Sequence, residues 1–489
     1  MERQDDTRRK VFSGLFWRFL ERGGSQIVTL LVTIILQRLL EPTMYGTVSK
    51  VTVITAILLV FVDSGMANAL IQKKDPDDLD FSSVFYFNIF FCLLLYLALF
   101  LLSPWLSAAF REPGLTPVLR VLGLTLIVAG LKNVQEAYVK KTMQFKRFFF
   151  ATLGGTLFSG ALGIVLALRG FGVWALVAQQ LSNAAVNTAI LWLTIPWRPK
   201  RMFSWRRLRG LLSYGWKLLV ASLIDQGYQK IYLIITGILQ GNAEMAFFEK
   251  GQNWPNLLMD SVNTTMDSVL LPALSAEQEQ KERLRSMTRR AIQIGSFVIM
   301  PLLAGFAACA TPLVRLLVTE KWLPTVPYLR IFCVIYAFYP MHLANLNAIK
   351  ALGRSDMFLL LEIVKRGLEL VILLCTVRHG AYVMALGLLG SELASQGINA
   401  WPNGRLIDYS YWKQLKDIAP ILLLSLLMAA CVYGLSFLAL PDALILLIQI
   451  MLGVGIYAGS ARLLKLDSFD YLIATIRNLI LKKKAGGTL

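Results

Sequence analysis

Long apolar segments are the feature that most limits how this chain can fold. Hydrophobic residues make up 56% of its 489 residues and charged residues only 16%, and the mean hydropathy is +0.59. A soluble domain carries far more charge, whereas a membrane-spanning helix needs roughly 20 mostly apolar residues. The composition therefore predicts an all-α polytopic membrane protein.

About fourteen segments are long enough to span a bilayer. We place them at approximately residues 15–38, 47–71, 81–102, 117–139, 148–168, 173–195, 211–238, 246–272, 291–310, 326–350, 358–377, 382–402, 417–438 and 443–463. The segments at 246–272 and 326–350 are the most polar of the set. An even number of spans would place both ends of the chain on the same side of the membrane.

Basic residues cluster in alternate loops between these segments. One set of loops carries Arg8, Arg9 and Lys10, then Lys140, Lys141, Lys146 and Arg147, then Arg206, Arg207 and Arg209, and finally Lys482, Lys483 and Lys484. The intervening loops hold few, such as Arg111 and Arg378. Because basic loops stay in the cytoplasm, both termini are predicted to be cytoplasmic. The net charge of +19 is then a topology signal, and we predict no nucleic-acid partner.

An internal repeat divides the chain. Pro117–Arg120 recurs as Pro327–Arg330, and Gly170–Leu176 recurs as Gly380–Leu386 at the same offset. Six spans per repeat give both copies the same orientation, an arrangement that transporters use around a central substrate path. We predict two parallel six-helix lobes followed by two further helices: an N-lobe with a basic linker at 1–210, a C-lobe at 211–402, and spans 13–14 with a basic amphipathic tail at 403–489.

The linker Pro196–Gly210 combines basic residues with aromatic ones. That composition is typical of a segment lying on anionic lipid. Residues for bond-making chemistry are scarce elsewhere, since the chain has two histidines and five cysteines without metal-like spacing and no phosphate-binding glycine loop. We therefore predict no catalytic residues, no metal and no cofactor.

Charged residues at membrane depth are candidates for a substrate path, because charge is costly there. Aligning the two lobes places Arg18 opposite Lys217 and Lys50 opposite Lys250. The candidate cationic cavity comprises six residues on spans 1, 2, 7 and 8: Arg18, Arg22, Lys50, Lys217, Lys230 and Lys250. The alternative is that these side chains extend to the membrane surface from span ends.

Polar residues accompany the cations. Span 8 carries candidates for contacts to sugar hydroxyls and a sugar face, which could instead form interhelical hydrogen bonds: Gln252, Asn253, Trp254 and Asn256. Asp63 and Asp225 have no basic residue within one helical turn in the sequence, and we predict that one of them binds a coupling proton or sodium ion.

Span 11 carries two glutamates and two basic residues. The spacings Glu362 to Arg366 and Lys365 to Glu369 are both i to i+4, which allows ion pairs along one helix face. We favour a self-neutralised structural face over a substrate contact.

Several motifs resemble those of bacterial oligosaccharide and polysaccharide flippases. Leu40–Gly46 resembles their first outer loop, Ser213–Lys217 the opening of their second lobe, and Glu320–Trp322 and Lys350–Asp356 the loops flanking span 10. The resemblance covers nearly the whole chain and is to the multidrug/oligosaccharidyl-lipid/polysaccharide superfamily, closest to colanic-acid-exporter-type lipopolysaccharide biosynthesis flippases. Residues 241–246 depart from the family's usual turn before span 8.

This resemblance implies a transporter of the bacterial cytoplasmic membrane. Its substrate would be a polyprenyl-pyrophosphate-linked oligosaccharide, flipped by alternating access for exopolysaccharide or lipopolysaccharide biosynthesis. Arg18, Arg22 and Lys217 would receive the pyrophosphate in a cavity lined by spans 1, 2, 7 and 8. Membrane lipids, and the polysaccharide polymerase and export machinery, are candidate partners.

Two alternatives remain open. A cation-coupled multidrug exporter of the same superfamily would favour an acidic cavity, whereas cations dominate here. A membrane polymerase or ligase would need a large outer loop with catalytic residues, whereas the loops near Ser103–Thr116 and Thr311–Thr325 are short. We therefore predict a transporter and not an enzyme.

The topology can be tested with reporter fusions. We expect fusions at Lys74, Arg206 and Lys483 to report a cytoplasmic location, and a fusion at Arg111 to report an external one, because basic loops are retained inside. The measurement is the ratio of cytoplasmic to external reporter activity at each site. An external signal at Arg206 would contradict the two-lobe scheme.

Overall fold

The computed structural model describes residues 23–63, 69–71, 73, 76–142, 144–438, 440–471 and 474. Helices dominate this part of the chain. They are α1 Gly23–Leu39, α2 Pro42–Asp63, α3 Asp78–Ala109, α4 Leu115–Thr142, α5 Phe145–Leu168, α6 Val173–Thr194, α7 Trp205–Leu239, α8 Asn242–Ala276, α9 Lys281–Ala308, α10 Ala310–Val318, α11 Thr325–Ala337, α12 Tyr339–Ala351, α13 Ser355–Thr376, α14 Ala381–Leu406, α15 Tyr411–Gly434 and α16 Asp442–Leu463.

These helices confirm the predicted all-α polytopic membrane fold. The described parts of the second to the fourteenth predicted spans coincide almost entirely with helix, and α1 covers the described part of the first. Within the described residues, 8 helical segments are long and apolar enough to cross a membrane by length and composition alone. The more polar helices α6, α7, α8, α13 and α14 fall outside that set. Fourteen spans therefore stays a prediction.

The structure divides the predicted span 10 near its middle. Helix α11 ends at Ala337 and α12 begins at Tyr339, with Phe338 between them. Pro340 occupies the first turn of α12. Because proline has no N–H and its ring clashes with the preceding turn, it is tolerated at a helix start but breaks a continuous helix. The missing N–H of Pro340 fits a helix that begins anew at this point.

By its contacts the chain forms two compact units, Met1–Ala246 and Phe247–Leu489. Their boundary lies inside α8, whereas the sequence places the lobe boundary at residue 210. The three-part domain scheme stays a prediction.

In the first unit, α3 packs on α4, α5 on α6, and α2 on α4 and α7. Small residues allow close approach, as is usual between membrane helices. A Cβ on Gly160 of α5 would lie 2.4 Å from a methyl carbon of Val32 in α1, and one on Gly163 would lie 2.9 Å from Cβ of Gln179 in α6. A larger side chain at either position would push the helices apart.

In the second unit, α9 packs against α11, α12 and α15, and α15 packs against α16. A buried amide network joins three of the helices. Asn345 of α12 and Gln414 of α15 exchange hydrogen bonds of 2.8 and 2.9 Å, and Asn403 of α14 donates to Asn345 Oδ1 at 2.8 Å. These bonds satisfy polar groups that would otherwise be costly to bury.

The repeat found in the sequence has corresponding local contacts. Arg120, near the start of α4, donates to Ser103 in α3 at 3.1 Å and lies over the Phe100 ring. Its counterpart Arg330 in α11 donates to the Ala307 carbonyl in α9 at 3.2 Å and lies over the Tyr433 ring. In both units the repeated arginine therefore donates to an earlier helix, and Arg330 also contacts the later helix α15.

The linker before α7 is fixed to the first unit by polar contacts. Trp197 is buried, and its indole N–H donates to Asp78 at 3.2 Å. Arg207 contacts Asp77 at 2.5 Å. The prediction of a segment lying on lipid is wrong for Trp197, which packs in the protein core. The exposed Met202, Phe203 and Trp205 are compatible with it.

Asp77 is the N-cap of α3. Its carboxylate accepts from the Asp80 N–H at 3.0 Å, and the Asp80 carboxylate accepts from the Asp77 N–H at 3.1 Å, forming a capping box. The hydrogen bond from the Asp80 N–H, followed by that from Arg207, lowers the pKa of Asp77 to about 2. The negative charge also lies favourably at a helix N-terminus.

This cap predicts how stability depends on pH. A carboxylate whose pKa is lowered on folding stabilises the protein above its ordinary pKa, and that stabilisation is lost as the pH falls towards about 2. We expect Asp77→Ala to cost about 1 kcal/mol, measured by thermal unfolding of purified protein in detergent at neutral pH. We expect Asp77→Asn to reduce the loss of thermal stability on acidification.

Glu279→Gln, which changes an exposed carboxylate in a loop, is the control. An acid profile unchanged by Asp77→Asn would contradict the assignment.

Candidate functional site

Some predicted site residues lie outside the part that the structure describes. Arg18 and Arg22 are among them. The backbone of Lys217 is described in α7 and that of Asp63 at the end of α2, but their side chains are not. The proposed roles of these four residues remain predictions.

Two predicted site residues of α7 have described side chains. Lys230 is half-buried and Asp225 is exposed. The Asp225 carboxylate accepts a hydrogen bond of 2.8 Å from Gln229, one turn further along the helix. The sequence analysis considered only basic partners for Asp225 and did not identify this amide.

The candidate sugar contacts lie on α8. Asn253 and Asn256 are exposed, whereas Lys250, Gln252 and Trp254 are half-buried. Asn253 donates to Glu249 at 3.5 Å, and Gln252 is hydrogen-bonded to Tyr336 of α11. The structure therefore separates the set: Gln252 joins two helices, while Asn253 and Asn256 present their amides at the protein surface.

Lys50 of α2 is buried within a polar cluster of the first unit. Its ammonium donates to Glu112 Oε2 at 3.0 Å. Glu112 Oε1 accepts from Thr47 at 2.6 Å and from Asn242, the first residue of α8, at 2.9 Å. The ammonium also lies 5.3 Å from the centre of the Phe110 ring. Lys50 is therefore a fixed, compensated charge.

Close backbone approach makes this cluster possible. A Cβ on Gly46 would lie 1.9 Å from the Asn242 carbonyl oxygen, so only glycine fits beside the start of α8. Arg111, immediately before Glu112, has a φ of +52°, a conformation uncommon outside glycine. The turn between α3 and α4 is thus shaped to present Glu112 to α2.

A second charged cluster lies in the second unit, on α13. Lys365 contacts Glu362 at 2.6 Å, and Arg366 contacts Glu369 at 3.2 Å. Both pairs have i to i+3 spacing. Of the predicted i to i+4 pairs, Glu362–Arg366 is present but long, at 3.8 Å. The predicted ion-paired face is found on this helix, with its pairing shifted by one residue.

Helices α12 and α14 complete this cluster. His342 Nδ1 lies 2.9 Å from the Asn399 amide nitrogen, and Glu392 of α14 lies beside the α13 charges. A cavity of about 60 Å³ opens between the three helices, lined by His342, Glu362, Lys365, Arg366, Glu369, Glu392 and Ser395. The charged face of α13 therefore borders a cavity.

The sequence analysis did not identify Glu112, in the Lys50 cluster, or Glu392, in the α13 cluster, and the reason is the same for both. Glu112 is 62 positions from Lys50, and Glu392 lies on a different helix from the residues it faces. Spacing along one helix cannot indicate such partners. The signal that was present is the rarity of charge inside a predicted span, which applies to Glu392.

The described clusters offer fixed cations, carboxylates and amides. Among the described residues, no group of three or more His, Cys, Asp or Glu side chains could hold a metal ion. Cationic side chains suit phosphate groups, and amides suit hydroxyl groups. What these residues provide is binding chemistry.

Comparison with solved structures defines the class of fold. The chain is similar to the lipid II flippase MurJ in an inward closed conformation, with a TM-score of 0.75 and 14% identity over 95% of this chain and 100% of that one. It also resembles an inward-facing multidrug resistance MATE family transporter, with a TM-score of 0.61 and 16% identity over 78% of this chain and 94% of that one. The chain is a multi-pass membrane protein with a transporter fold.

The sequence itself identifies the family. Residues 35–327, more than half of the chain, match the family described as polysaccharide biosynthesis protein, and the chain belongs to that family.

Similar proteins carry related names. The lipopolysaccharide biosynthesis protein WzxC of Escherichia coli is 23% identical over 67% of this chain and 67% of its own length. The succinoglycan biosynthesis transport protein ExoT of Rhizobium meliloti is 22% identical over 63% of this chain and 62% of its own length. The teichuronic acid biosynthesis protein TuaB of Bacillus subtilis is 21% identical over 71% of this chain and 73% of its own length.

The Lys50–Glu112 pair predicts a large loss of stability from a small change. Glu112→Gln keeps an oxygen for Thr47 and Asn242 but leaves the buried ammonium without its carboxylate. We expect a cost on the order of 3 kcal/mol, measured by thermal unfolding in detergent. The double variant Lys50→Met, Glu112→Gln should regain most of it.

The exposed Lys413–Asp408 pair is the control, because exposed ion pairs contribute little. A Glu112→Gln variant as stable as the wild type would show that the carboxylate charge does not hold Lys50.

Proposed function

We propose that this protein flips a polyprenyl-pyrophosphate-linked oligosaccharide from the inner to the outer leaflet of the bacterial cytoplasmic membrane. The observation that carries the proposal is the family match over residues 35–327 on a transporter fold. The named relatives act in the biosynthesis of lipopolysaccharide, succinoglycan and teichuronic acid, and one of them is named a transport protein. All three products are glycans.

The headgroup of this substrate carries at least two negative charges on its pyrophosphate. Moving it into a low-dielectric region removes its hydration, which fixed cations can replace with charge-assisted hydrogen bonds. We assign this role to six cations on the first, second, seventh and eighth spans: Arg18, Arg22, Lys50, Lys217, Lys230 and Lys250. Lys50 differs from the others because Glu112 already compensates its charge.

The sugar chain needs a different surface. Along α8, Glu249, Asn253, Asn256 and Asp260 follow one another at steps of three or four residues, which places them on one helix face. Asn253 and Asn256 are exposed. Amides and carboxylates on one face match the alternating donors and acceptors of sugar hydroxyls. Trp254, half-buried beside them, is the candidate for stacking on a sugar ring.

The remaining assignments follow from this function. Flipping makes and breaks no covalent bond, so the protein acts as a transporter and not as an enzyme, and it needs no cofactor. Both termini face the cytoplasm, in keeping with the basic loops. Membrane lipids surround the protein, and its candidate protein partner is the polymerase that uses the flipped oligosaccharide.

The proposal can be tested in a strain that lacks the protein. We expect lipid-linked oligosaccharide to accumulate on the inner leaflet there, and wild-type protein to restore export. Arg18→Ala and Lys217→Ala should each impair export at normal protein levels, and Lys217→Arg should do so less, because charge matters most. The measurement is the share of lipid-linked oligosaccharide accessible from outside.

Lys413→Ala removes an exposed cation paired with Asp408 and is the control. Wild-type export by an Arg18→Ala, Lys217→Ala double variant would exclude the cationic path. Export of cationic drugs in place of oligosaccharide would favour the multidrug alternative.

A further inference from the structure

The cavity between α12, α13 and α14 contains an uneven set of charges. Three carboxylates, Glu362, Glu369 and Glu392, line it together with two cations, Lys365 and Arg366. Glu369 and Lys365 are buried, with 3% and 4% of their surface exposed. Because an uncompensated charge is costly at membrane depth, the excess of one negative charge calls for a further positive one.

His342 need not supply that charge. Its Nδ1 lies 2.9 Å from the amide nitrogen of Asn399. An amide has a donor on one side and an acceptor on the other, so a neutral imidazole satisfies this contact in either orientation of the amide. With a neutral His342, the side chains that line the cavity keep their negative excess.

The two glutamates nearest the middle of the cluster show where a proton would fit. The carboxyl groups of Glu369 and Glu392 line the same small cavity and face each other within hydrogen-bonding range. Ionised carboxylates only accept hydrogen bonds, so a hydrogen bond between these two forms when one of them carries a proton. One shared proton also balances the cavity, leaving two negative charges against Lys365 and Arg366.

A hydroxyl on α14 faces the same cavity. Ser395 lines it and is 1% exposed, and its oxygen has no hydrogen-bond partner among the described residues. A buried hydroxyl without a partner is costly. A water molecule in the cavity would satisfy it and would provide a path for proton exchange with the glutamates.

We propose that Glu369 and Glu392 share one exchangeable proton, and that the release and uptake of this proton drive the transport cycle. The second part rests on the proposed flippase function. No bond other than O–H changes: the proton leaves one carboxyl oxygen for water on one side of the membrane and is regained from the other side. The site differs from Asp63 and Asp225, which the sequence favoured.

Other titratable and charged groups face this pair from each neighbouring helix. Glu362, Lys365 and Arg366 do so from α13, His342 from α12, and Tyr336 from α11. Lys365 and Arg366 stabilise the ionised form of the pair, whereas Glu362 opposes it. Glu362→Gln should therefore release the shared proton, because the cavity would then balance without it.

Infrared spectroscopy tests the site without any transport. The probe is the carbonyl stretch of a protonated carboxylic acid in purified protein in lipid nanodiscs at neutral pH, without sodium. We expect this band in the wild type, and its loss in Glu369→Gln, in Glu392→Gln and in Glu362→Gln. Each substitution keeps the size of the side chain, so folding should be preserved, and circular dichroism checks this.

Asp225→Asn is the matched control, because Asp225 is exposed and lies in the first unit. The band should persist in this variant. A wild-type protein without the band, a band lost only in Asp225→Asn, or a band that sodium abolishes at constant pH would each overturn the proton site.

The role in transport has its own measurement, the externally accessible share of lipid-linked oligosaccharide. Glu392→Gln should retain normal abundance but lose export. If the infrared band depends on Glu392 and yet export by Glu392→Gln is normal, the proton is structural and the coupling role is wrong. If a strain without the protein accumulates no lipid-linked oligosaccharide, the proposed function fails while the proton site stands.

Discussion

Compensation of buried charge is the constraint on which the rest of this structure depends. A bilayer offers no water to an exposed ion, so a charge at membrane depth needs a partner within the protein. Lys50 forms an ion pair with Glu112, and Lys365 and Arg366 form ion pairs with glutamates on their own helix. Each ion pair compensates the charge and also holds both side chains in one position. The polar clusters therefore orient the helices that carry them, whereas contacts between apolar side chains are only weakly directional.

The two units use the same local geometry with different chemistry. Gly170 and its repeat counterpart Gly380 both have positive φ, at 80° and 98°, and the repeated arginines make matching contacts. The loops that precede α4 and α11 differ. The first contributes Glu112 to a polar cluster, whereas the second contributes Trp322, whose ring lies 6.0 Å from that of Phe247. The two repeats therefore share the glycine turns and the arginine contacts, whereas the side chains that their loops contribute differ.

The sequence was enough to predict most of the fold and little of the site. Apolar length located the helices because a bilayer demands it, although the break at Phe338 was missed. Charged positions were found where they interrupt apolar segments, as in α13. Their partners were not, because Glu112 and Glu392 meet Lys50 and Glu369 only after distant helices pack. Trp197 was misassigned for the same reason: an aromatic residue in a basic linker suits lipid and protein core equally.

Paired cations have a consequence for a transporter that must also release its cargo. A bare cation would bind a pyrophosphate tightly and hold it, whereas a path has to bind strongly enough for entry and weakly enough for exit. If the proposed path includes Lys50, an incoming phosphate would have to displace Glu112 there, so it would gain only the difference between two anionic partners. Such an exchange would make binding at Lys50 weaker than at a bare cation and would favour release. In the second unit, the proposed shared proton would act on a different balance: its release or uptake would change the charge of its own cavity by one unit.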